Sequence, residues 1–367
     1  MKTISLLIVA INLLMPCCNN KEYIQIAVDN PEFKPNTVFS GSEDLTSSKF
    51  IHLIEKYQLD TIFQGETYEL NRILLLRHWI RSKVKISDFE ESYPGEGDVE
   101  KMLDYALKGQ GYHCGHYMRI QNAIMNAYGY VTRTLGAGPG VKGGPDGYHG
   151  INEIWLNDFN KWFLSDAKYD HHFEKNGIPL SAMQIRDEYL KNKAAEIVVV
   201  KGPDRIITEI DPETGTKRER RAQTYTWVEF HGYNNMFTAW PAHKEMNIMQ
   251  EDDFTKNNIW FRDGNPHWAY EKPEYRKWVK NRDDIEWTPN TINSNVEINR
   301  NKVSIKLMSN TPNLSRYEMK DSASGIWQQI GDSIEINLNK SRYVLIFRTA
   351  NIAGVTGPEH KIILSEK

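Results

Sequence analysis

The sequence lacks an excess of charge of either sign: Lys and Arg number 45, Asp and Glu number 48, and the formal net charge is -3. A chain so balanced has no broad basic surface of the kind that non-specific nucleic-acid binding needs, so we predict no nucleic-acid partner. Hydrophobic residues make up 40% of the chain, which is too much for an intrinsically disordered protein. At about 150 residues per domain, the 367 residues predict two or three domains.

Long hydrophobic runs are also scarce, which excludes a protein with several membrane spans. The one long run, residues 4–15, carries no charge and follows Lys2. It is about a dozen residues long, well short of the roughly 20 that cross a bilayer, and with its positive start it predicts an export signal. The tail 14–17 (LMPC) resembles the bacterial lipobox, in which the cysteine becomes the lipidated first residue.

We therefore predict a lipoprotein-type signal peptide over residues 1–17 with lipid attachment at Cys17. The protein would be exported and held by its lipid anchor on a bacterial membrane, in the periplasm or at the cell surface. Cys18 competes for the lipid, and an ordinary cleaved signal peptide is the alternative.

Cysteine is rare as well, with 3 residues, of which two belong to the signal region. Cys114 therefore stands alone in the rest of the chain, and it has no partner there for an internal disulfide. A leftover cysteine in an exported protein indicates a free reactive thiol or an intermolecular bridge. The alternative is a buried cysteine that serves as a small hydrophobic side chain.

Composition divides the chain after the signal peptide into four parts. A polar stretch predicts a tether and N-terminal segment over residues 18–64, and helical and then strand patterns predict a core over 65–223. Residues 224–288 form a Trp-rich extension. Alternating hydrophobic residues with turns about 8–12 residues apart predict an all-β sandwich over 289–367. A segment with both helices and strands, followed by a segment of strands alone, predicts the α+β class.

The core segment begins with three stretches of helical periodicity and continues with strand-forming stretches. The predicted helices cover residues 67–84, 98–107 and 114–128, and the first predicted strands cover residues 130–135, 149–155 and 162–165. A Gly/Pro-rich loop is predicted over 136–147. This order favours helices packed on an antiparallel sheet.

Three polar residues occupy the ends of these elements. Cys114 follows a Gly-rich turn and opens a helix, where unpaired N–H groups and the positive end of the helix dipole favour a thiolate. His149 begins a strand and Asp166 ends the next one, so antiparallel pairing would bring them together. We therefore predict that His149 takes the thiol proton and that Asp166 orients the imidazole.

Further residues would support this chemistry. The helix-start N–H of Cys114 would receive the oxyanion that forms when the thiolate attacks a carbonyl carbon. A second oxyanion donor is expected from the preceding loop, where Gln110, Tyr112 and His113 are the candidates. Glu153 lies on the strand face of His149; it would steer the site or, in the interpretation we favour, pair with an Arg or Lys side chain.

Three segments around the predicted triad carry a family resemblance. Residues 111–117 (GYHCGHY), continuing through 127–133 (AYGYVTR), form a Gly-rich turn, a Cys-helix and a strand. Residues 149–155 (HGINEIW) and 161–166 (KWFLSD) are strands that carry the His and the Asp. In order and spacing these motifs resemble the transglutaminase-like superfamily, over about residues 65–175.

The resemblance implies a papain-like core with Cys114, His149 and Asp166 as its catalytic triad and no cofactor. It implies acyl transfer on an amide bond of a peptide or glycopeptide through a Cys114 thioester. Water as acceptor gives hydrolysis, which bacterial members of the superfamily favour, and an amine gives cross-linking. Gly150-Ile151 stands where Ala-Trp is common and Asn152 where an apolar residue is usual, so the surroundings of the His differ from the family pattern.

Two other features bear on function. His113, Cys114 and His116 lack a second pair at metal-ligand spacing, so we predict no metal site. Aromatic side chains stack on sugars and extended peptides, although core packing is the commoner role of tryptophan. The residues concerned are Trp227, Trp240, Trp260, Trp268, Trp278 and Trp287. The competing function is therefore a non-catalytic surface lipoprotein that binds a glycan or a peptide.

Overall fold

The computed structural model describes residues 22–88, 90–138, 149–239, 247–250, 261–262, 265–266, 276–322 and 324–367. The predicted signal peptide over residues 1–17, with Cys17, lies outside this part of the chain. None of the described helices is both long enough and apolar enough to cross a membrane.

The α-helices of the described residues lie in the first two thirds of the chain. They are α1 (Ser48–Tyr57), α2 (Glu69–Lys83), α3 (Val99–Ala106), α4 (Cys114–Ala127), α5 (Ala182–Asn192), α6 (Arg218–Gln223) and α7 (Met236–Ala239). Short 3-10 helices cover Leu59–Ile62 and Arg282–Asp284. The three helices predicted for the core are confirmed as α2, α3 and α4.

Strands make up most of the remaining regular structure. They are β1 (Tyr23–Ile26), β2 (Lys85–Ile86), β3 (Gly111–Tyr112), β4 (Thr132–Gly138), β5 (His149–Leu156), β6 (Lys161–Ser165), β7 (His171–Lys175), β8 (Ile178–Pro179), β9 (Val198–Lys201), β10 (Ile206–Thr208), β11 (Trp227–His231), β12 (Asn247–Gln250), β13 (Phe261–Arg262), β14 (Asn265–Pro266), β15 (Arg276–Val279), β16 (Ile292–Asn299), β17 (Lys302–Ser309), β18 (Leu314–Asp321), β19 (Gln328–Ile330), β20 (Ser333–Asn337), β21 (Arg342–Asn351) and β22 (His360–Glu366).

The strand β4 differs from the prediction at its end. It continues through Gly136 to Gly138, where the sequence predicted a loop over 136–147, because these residues pair with β11 on one side and their first two pair with β5 on the other. Hydrogen bonds on both sides override the weak strand preference of glycine. Residues 139–148 of the predicted loop lie outside the described residues.

A six-stranded sheet in the order β15-β12-β11-β4-β5-β6 forms the centre of the core. Its pairs are antiparallel except for β12 with β15. On one face, the apolar stripe of α4, with Ile120 and Ile124, packs against Ile154 and Phe163 from alternate positions of β5 and β6. The helical period of 3.6 and the strand period of 2 place these side chains in one layer.

The other face of the sheet is covered as well. Ile151, Trp155 and Leu164 pack there against residues of α5 and of a second sheet, whose order is β10-β9-β7-β8. Because both faces are covered, β5 is buried along its whole length. The prediction of helices packed on an antiparallel sheet is therefore confirmed.

As predicted, the regular structure of residues 289–322 and 324–367 consists of strands, which lie in two sheets ordered β1-β22-β21-β18-β19 and β16-β17-β20. Apolar side chains such as Val303, Ile305 and Phe347 fill the space between them. The strand β1 belongs to the segment 18–64, which was predicted as a tether. From Tyr23 this segment is part of the fold, since β1 pairs antiparallel with β22, and Tyr23 is buried in the sandwich core.

Gly129 marks the place where this sandwich contacts the core. Its φ of +77° lies in the left-handed region, and a Cβ there would be 2.7 Å from the Cβ of Ala353. Glycine is therefore required for both the backbone conformation and the close approach. The Asn351 side chain donates a hydrogen bond of 2.8 Å to the Gly129 carbonyl, which fixes the end of α4 against the sandwich.

The tryptophans of the predicted extension 224–288 contribute partly to packing. Trp287 is buried, and its ring lies 5.5 Å from that of Trp162 beneath the sheet. Trp278 is half-buried on β15, and Trp227 lies in β11. Trp240, Trp260 and Trp268 lie outside the described residues. For Trp287, core packing is the observed role.

A buried ion pair joins β4, β5 and α5. The Arg133 guanidinium donates to Glu153 Oε2 through Nε at 2.8 Å and stacks 4.1 Å from the Trp162 ring. The other oxygen of Glu153 accepts the Ala182 N–H at 2.6 Å, at the positive end of α5. Glu153 therefore pairs with an arginine, as favoured from the sequence, and a role in steering the active site stays a prediction.

Replacing Glu153 with Gln should lower the free energy of unfolding by about 3–5 kcal/mol, because it leaves the buried Arg133 charge without its partner. Urea denaturation followed by tryptophan fluorescence measures the loss. The matched control is Glu335→Gln, which breaks the exposed pair with Lys302 and should leave the midpoint unchanged. Equal effects of the two substitutions would contradict this account.

Candidate active site

The position of Cys114 is set by the elements on either side of it. The strand β3 pairs in parallel with β2 and ends at Tyr112, and α4 begins two residues later with Cys114. His113 is the N-cap in an extended conformation, so the chain turns sharply into the helix. The sulfur thus lies at the positive end of a 14-residue helix, and the residue is half-buried.

His149 and Asp166 come together through the register of β5 and β6. Asn152 pairs with Ser165, so the next residue, Asp166, lies diagonally across from the first residue of β5, His149. The His149 Nε2–H donates a 2.7 Å hydrogen bond to Asp166 Oδ2. Because Nε2 is occupied, the imidazole presents its other nitrogen, Nδ1, to the Cys114 thiol, with which it is also hydrogen-bonded.

These contacts change the pKa of each group. Burial alone would raise the pKa of the Cys114 thiol, but hydrogen bonds from His113, His149 and the Gly150 N–H, with the charge of His149, lower it to about 5. Burial opposes the charged form of His149, but the charge and hydrogen bond of Asp166 and those of Cys114 raise its pKa to about 10. Between these values the pair exists as thiolate and imidazolium.

Asp166 stays ionised although it is only 1% exposed. Burial alone would raise its pKa, but the charge of His149 holds that pKa well below its usual range, with smaller contributions from His171 and Arg221. Its other oxygen, Oδ1, accepts the Tyr169 N–H at 3.2 Å. The carboxylate is therefore fixed at both oxygens and orients the imidazole.

The structure shows where the side chains of the three candidates for the second oxyanion donor make their contacts, and the choice of donor stays a prediction. The Tyr112 hydroxyl donates to the Pro94 carbonyl at 2.6 Å, and its ring is buried in the helical core. The Gln110 amide donates to the Gly111 carbonyl at 2.9 Å. The third, His113, accepts the Gly115 N–H at 3.1 Å through Nδ1 and contributes to the lowered pKa of the Cys114 thiol.

Several residues of the site were missed from the sequence. The Gly150 N–H, the Tyr169 N–H and the field of Arg221 all act on the triad. Lys168 is buried, pairs with Asp88 at 2.6 Å and lies near enough to Cys114 for a favourable charge interaction. No periodic pattern marks Lys168, although its place two residues after the triad Asp was a usable signal.

Among the described residues, no group of three or more His, Cys, Asp or Glu has a geometry that holds a metal ion. His116 is buried beside His113, and burial lowers its pKa to about 3. The His116 imidazole is therefore neutral, and its ring lies 4.0 Å from that of His113.

The comparisons with known proteins bear on the same part of the chain. Residues 57–167 match the family model described as the transglutaminase-like superfamily. This segment is a transglutaminase-like core. It contains Cys114, His149 and Asp166, so the three residues that meet in the structure lie within the matched range, and the family resemblance is confirmed.

Among solved structures, the chain is similar to a transglutaminase of red sea bream, with 11% sequence identity and a TM-score of 0.26. The similarity covers 80% of this chain and 48% of that one, so the chain spans about half the length of that enzyme. No curated protein matches the chain.

We expect alkylation of Cys114 by iodoacetamide to follow a titration with a midpoint near pH 5, because the thiolate is the reacting form. The thiolate is present above the lowered pKa and is lost as the pH falls through it. The rate should therefore rise from about pH 4 to 6 and stay level to about pH 9. Peptide mass spectrometry reports Cys114 separately from Cys17 and Cys18.

The control for this measurement is Asp166→Asn, which removes the charge that stabilises the His149 imidazolium. Its midpoint should move to higher pH. A midpoint of about 8.5 in the unaltered protein, as for an ordinary thiol, would contradict the ion pair.

Proposed function

We propose that this protein is a cysteine-dependent enzyme of acyl transfer, which acts on amide bonds through a thioester at Cys114. The observation that carries the proposal is the hydrogen-bonded chain from the Cys114 thiol through His149 to the buried Asp166. A thiol with a merely structural role has no need of a paired imidazolium and an ionised carboxylate behind it. The transglutaminase-like core supports the same reaction class.

In the first half of the reaction, the Cys114 thiolate attacks the carbonyl carbon of the amide. A C–S bond forms, and the electron pair of the C=O bond moves to oxygen, where the helix-start N–H of Cys114 is placed to stabilise it. When the intermediate collapses, the C–N bond breaks and the His149 imidazolium gives its proton to the leaving amine. The products are a thioester and a neutral imidazole.

In the second half, His149 is the base. It takes a proton from water or from an amine, which attacks the thioester carbonyl while the C–S bond breaks and the thiolate returns. Asp166 stabilises the imidazolium that forms again. Water gives peptidase or amidase activity, toward which we lean, and an amine gives transglutaminase-type transfer to the acceptor.

The experiment is to trap the acyl enzyme. Mixed with p-nitrophenyl acetate, the protein should release a burst of p-nitrophenol and carry one acetyl group on Cys114. Cys114→Ala should abolish both signals, and Asp166→Asn should slow acylation about 100- to 10,000-fold. The control His52→Gln, an exposed histidine, should leave the burst unchanged. A Cys114 that stays unmodified would overturn the proposal and favour the non-catalytic binding lipoprotein.

A second experiment identifies the acyl acceptor by measuring how the same thioester divides between reaction with water and reaction with an added amine. With a peptide or glycopeptide as acyl donor, added primary amines should divert only a minor share of product from acid to amide. A product that is mainly amide at millimolar amine would instead assign amine transfer.

We also propose that the protein is exported and lipid-anchored to a bacterial membrane through Cys17, which the charge-free run over residues 4–15 and the tail LMPC support. Metabolic labelling with a fatty acid in a bacterial host should mark the protein. Cys17→Ser should lose the label and leave the membrane fraction, because this proposal assigns the anchoring lipid to Cys17. Cys18→Ser is the matched control; loss of label from Cys18→Ser alone would place the lipid there.

A further inference from the structure

The three residues of the triad belong to two different parts of the core. Cys114 is the first residue of α4, whereas His149 begins β5 and Asp166 directly follows β6. His149 and Asp166 are held together by the pairing of their strands and by their own 2.7 Å hydrogen bond. The position of the sulfur relative to the imidazole therefore depends on how α4 is placed on these two strands.

Apolar contacts hold α4 against the sheet. The buried stripe of the helix packs against Ile154 and Phe163. Close to the active site, a Cβ on Gly150 would lie 3.4 Å from the Cα of Gly115. Apolar burial is non-directional, so these contacts press the helix onto the strands without aiming one atom at another.

A buried hydrogen bond between α4 and β6 is directional. Gln121 Nε2 donates to the Ser165 hydroxyl oxygen at 2.6 Å, and both residues are 0% exposed. Gln121 follows Cys114 by about two helical turns, so it lies on nearly the same face of α4. Ser165 is the last residue of β6 and directly precedes Asp166. The bond thus joins the helix of the nucleophile to the strand that leads to the carboxylate.

The neighbouring polar atoms do not duplicate this link. Asn152 pairs with Ser165 across the strands and, by the alternation along β5, faces α4 as Gly150 does. Among the described residues, neither the Asn152 amide nor the second amide atom of Gln121, Oε1, has a hydrogen-bond partner. Loss of the bond to Ser165 therefore leaves the Gln121 side chain without another hydrogen bond in this part of the structure.

We propose that Gln121 is a positioning residue of the active site, which fixes α4 along β6 through its hydrogen bond to Ser165 and thereby sets the distance from the Cys114 sulfur to the His149 imidazole. This inference rests on the proposed acyl transfer, in which these two groups exchange a proton with the substrate. Gln121 is fully buried and acts only through the helix and through the strand end. A displacement of about 1 Å at a reacting group is enough to slow a reaction strongly.

The test uses one substitution on each side of the bond. Gln121→Met keeps the length of the side chain without its amide, and Ser165→Ala removes only the hydroxyl. In each variant the alkylation midpoint of Cys114 should rise by about half to one pH unit, because the imidazolium lies farther from the thiolate. The acylation burst with p-nitrophenyl acetate should slow about tenfold. The double variant should show no larger change than either single one, because both remove the same bond.

The matched control is Asn122→Leu, at the next position of α4. Asn122 is also 0% exposed, and its amide donates to Glu43 Oε1 at 3.2 Å, in the N-terminal segment and not in β6. This variant should lower the thermal unfolding midpoint, as the loss of a buried hydrogen bond does, but leave the alkylation midpoint and the burst unchanged.

The pH profile separates a positioning role from a merely structural one. If the Gln121 and Ser165 variants lose thermal stability but keep the alkylation midpoint and the burst rate, the inference alone is overturned. Additive changes in the double variant would overturn it too, because the two residues would then act separately. If Gln121→Met does not fold, Ser165→Ala, the smaller change, decides. An ordinary thiol in the unaltered protein would instead overturn the proposed function.

Discussion

The site depends on one buried contact, the hydrogen bond between the His149 imidazole and the Asp166 carboxylate. A carboxylate that is 1% exposed is expensive to ionise unless positive charge and N–H groups surround it, and here the imidazolium, the Tyr169 N–H and the field of Arg221 do so. The ionised Asp166 in turn keeps His149 protonated, and the protonated His149 keeps the sulfur as a thiolate. Each charged group therefore stabilises the next one, and the first of them is Asp166, at the end of β6.

Two glycines, Gly115 and Gly150, face each other where the start of α4 meets the start of β5. A Cβ at Gly150 would be 3.4 Å from the Cα of Gly115 and 3.4 Å from the Met118 sulfur. The start of α4 and the start of β5 therefore pack backbone against backbone, and the Gly150 N–H also reaches the Cys114 sulfur. Both Cβ distances are ordinary van der Waals contacts, and the neighbouring Ile151 fills the core on the other face of the sheet.

The sequence predicted those parts of the site that depend on local structure. Two such features could be predicted: a cysteine after a Gly-rich turn, and a His and an Asp at the ends of adjacent strands. They could be predicted because hydrophobic periodicity indicates where helices and strands begin and end. The orientation of the Tyr112 side chain could not be predicted, since its hydroxyl donates to the carbonyl of Pro94, which belongs to another segment. Lys168 and Asp88 meet across 80 positions of sequence, so no spacing predicts their contact. The strand β1 was taken for part of a tether because its four residues (YIQI) are too short to outweigh the polar, Pro-containing residues around them, and its partner β22 lies at the other end of the chain.

The same physical logic extends beyond the triad, because the charged groups of the site alternate in sign. In order from the surface inward and across the core they are Asp88, Lys168, the Cys114 thiolate, the His149 imidazolium, Asp166, Arg221, Asp211 and Lys201. A charge with opposite neighbours on both sides is stabilised without full exposure to water, which explains how a half-buried thiolate persists. Protonation of the sulfur interrupts this row in the middle and leaves Lys168 and His149 facing a neutral group. The ionised state of the Cys114 sulfur is therefore a property of the whole row.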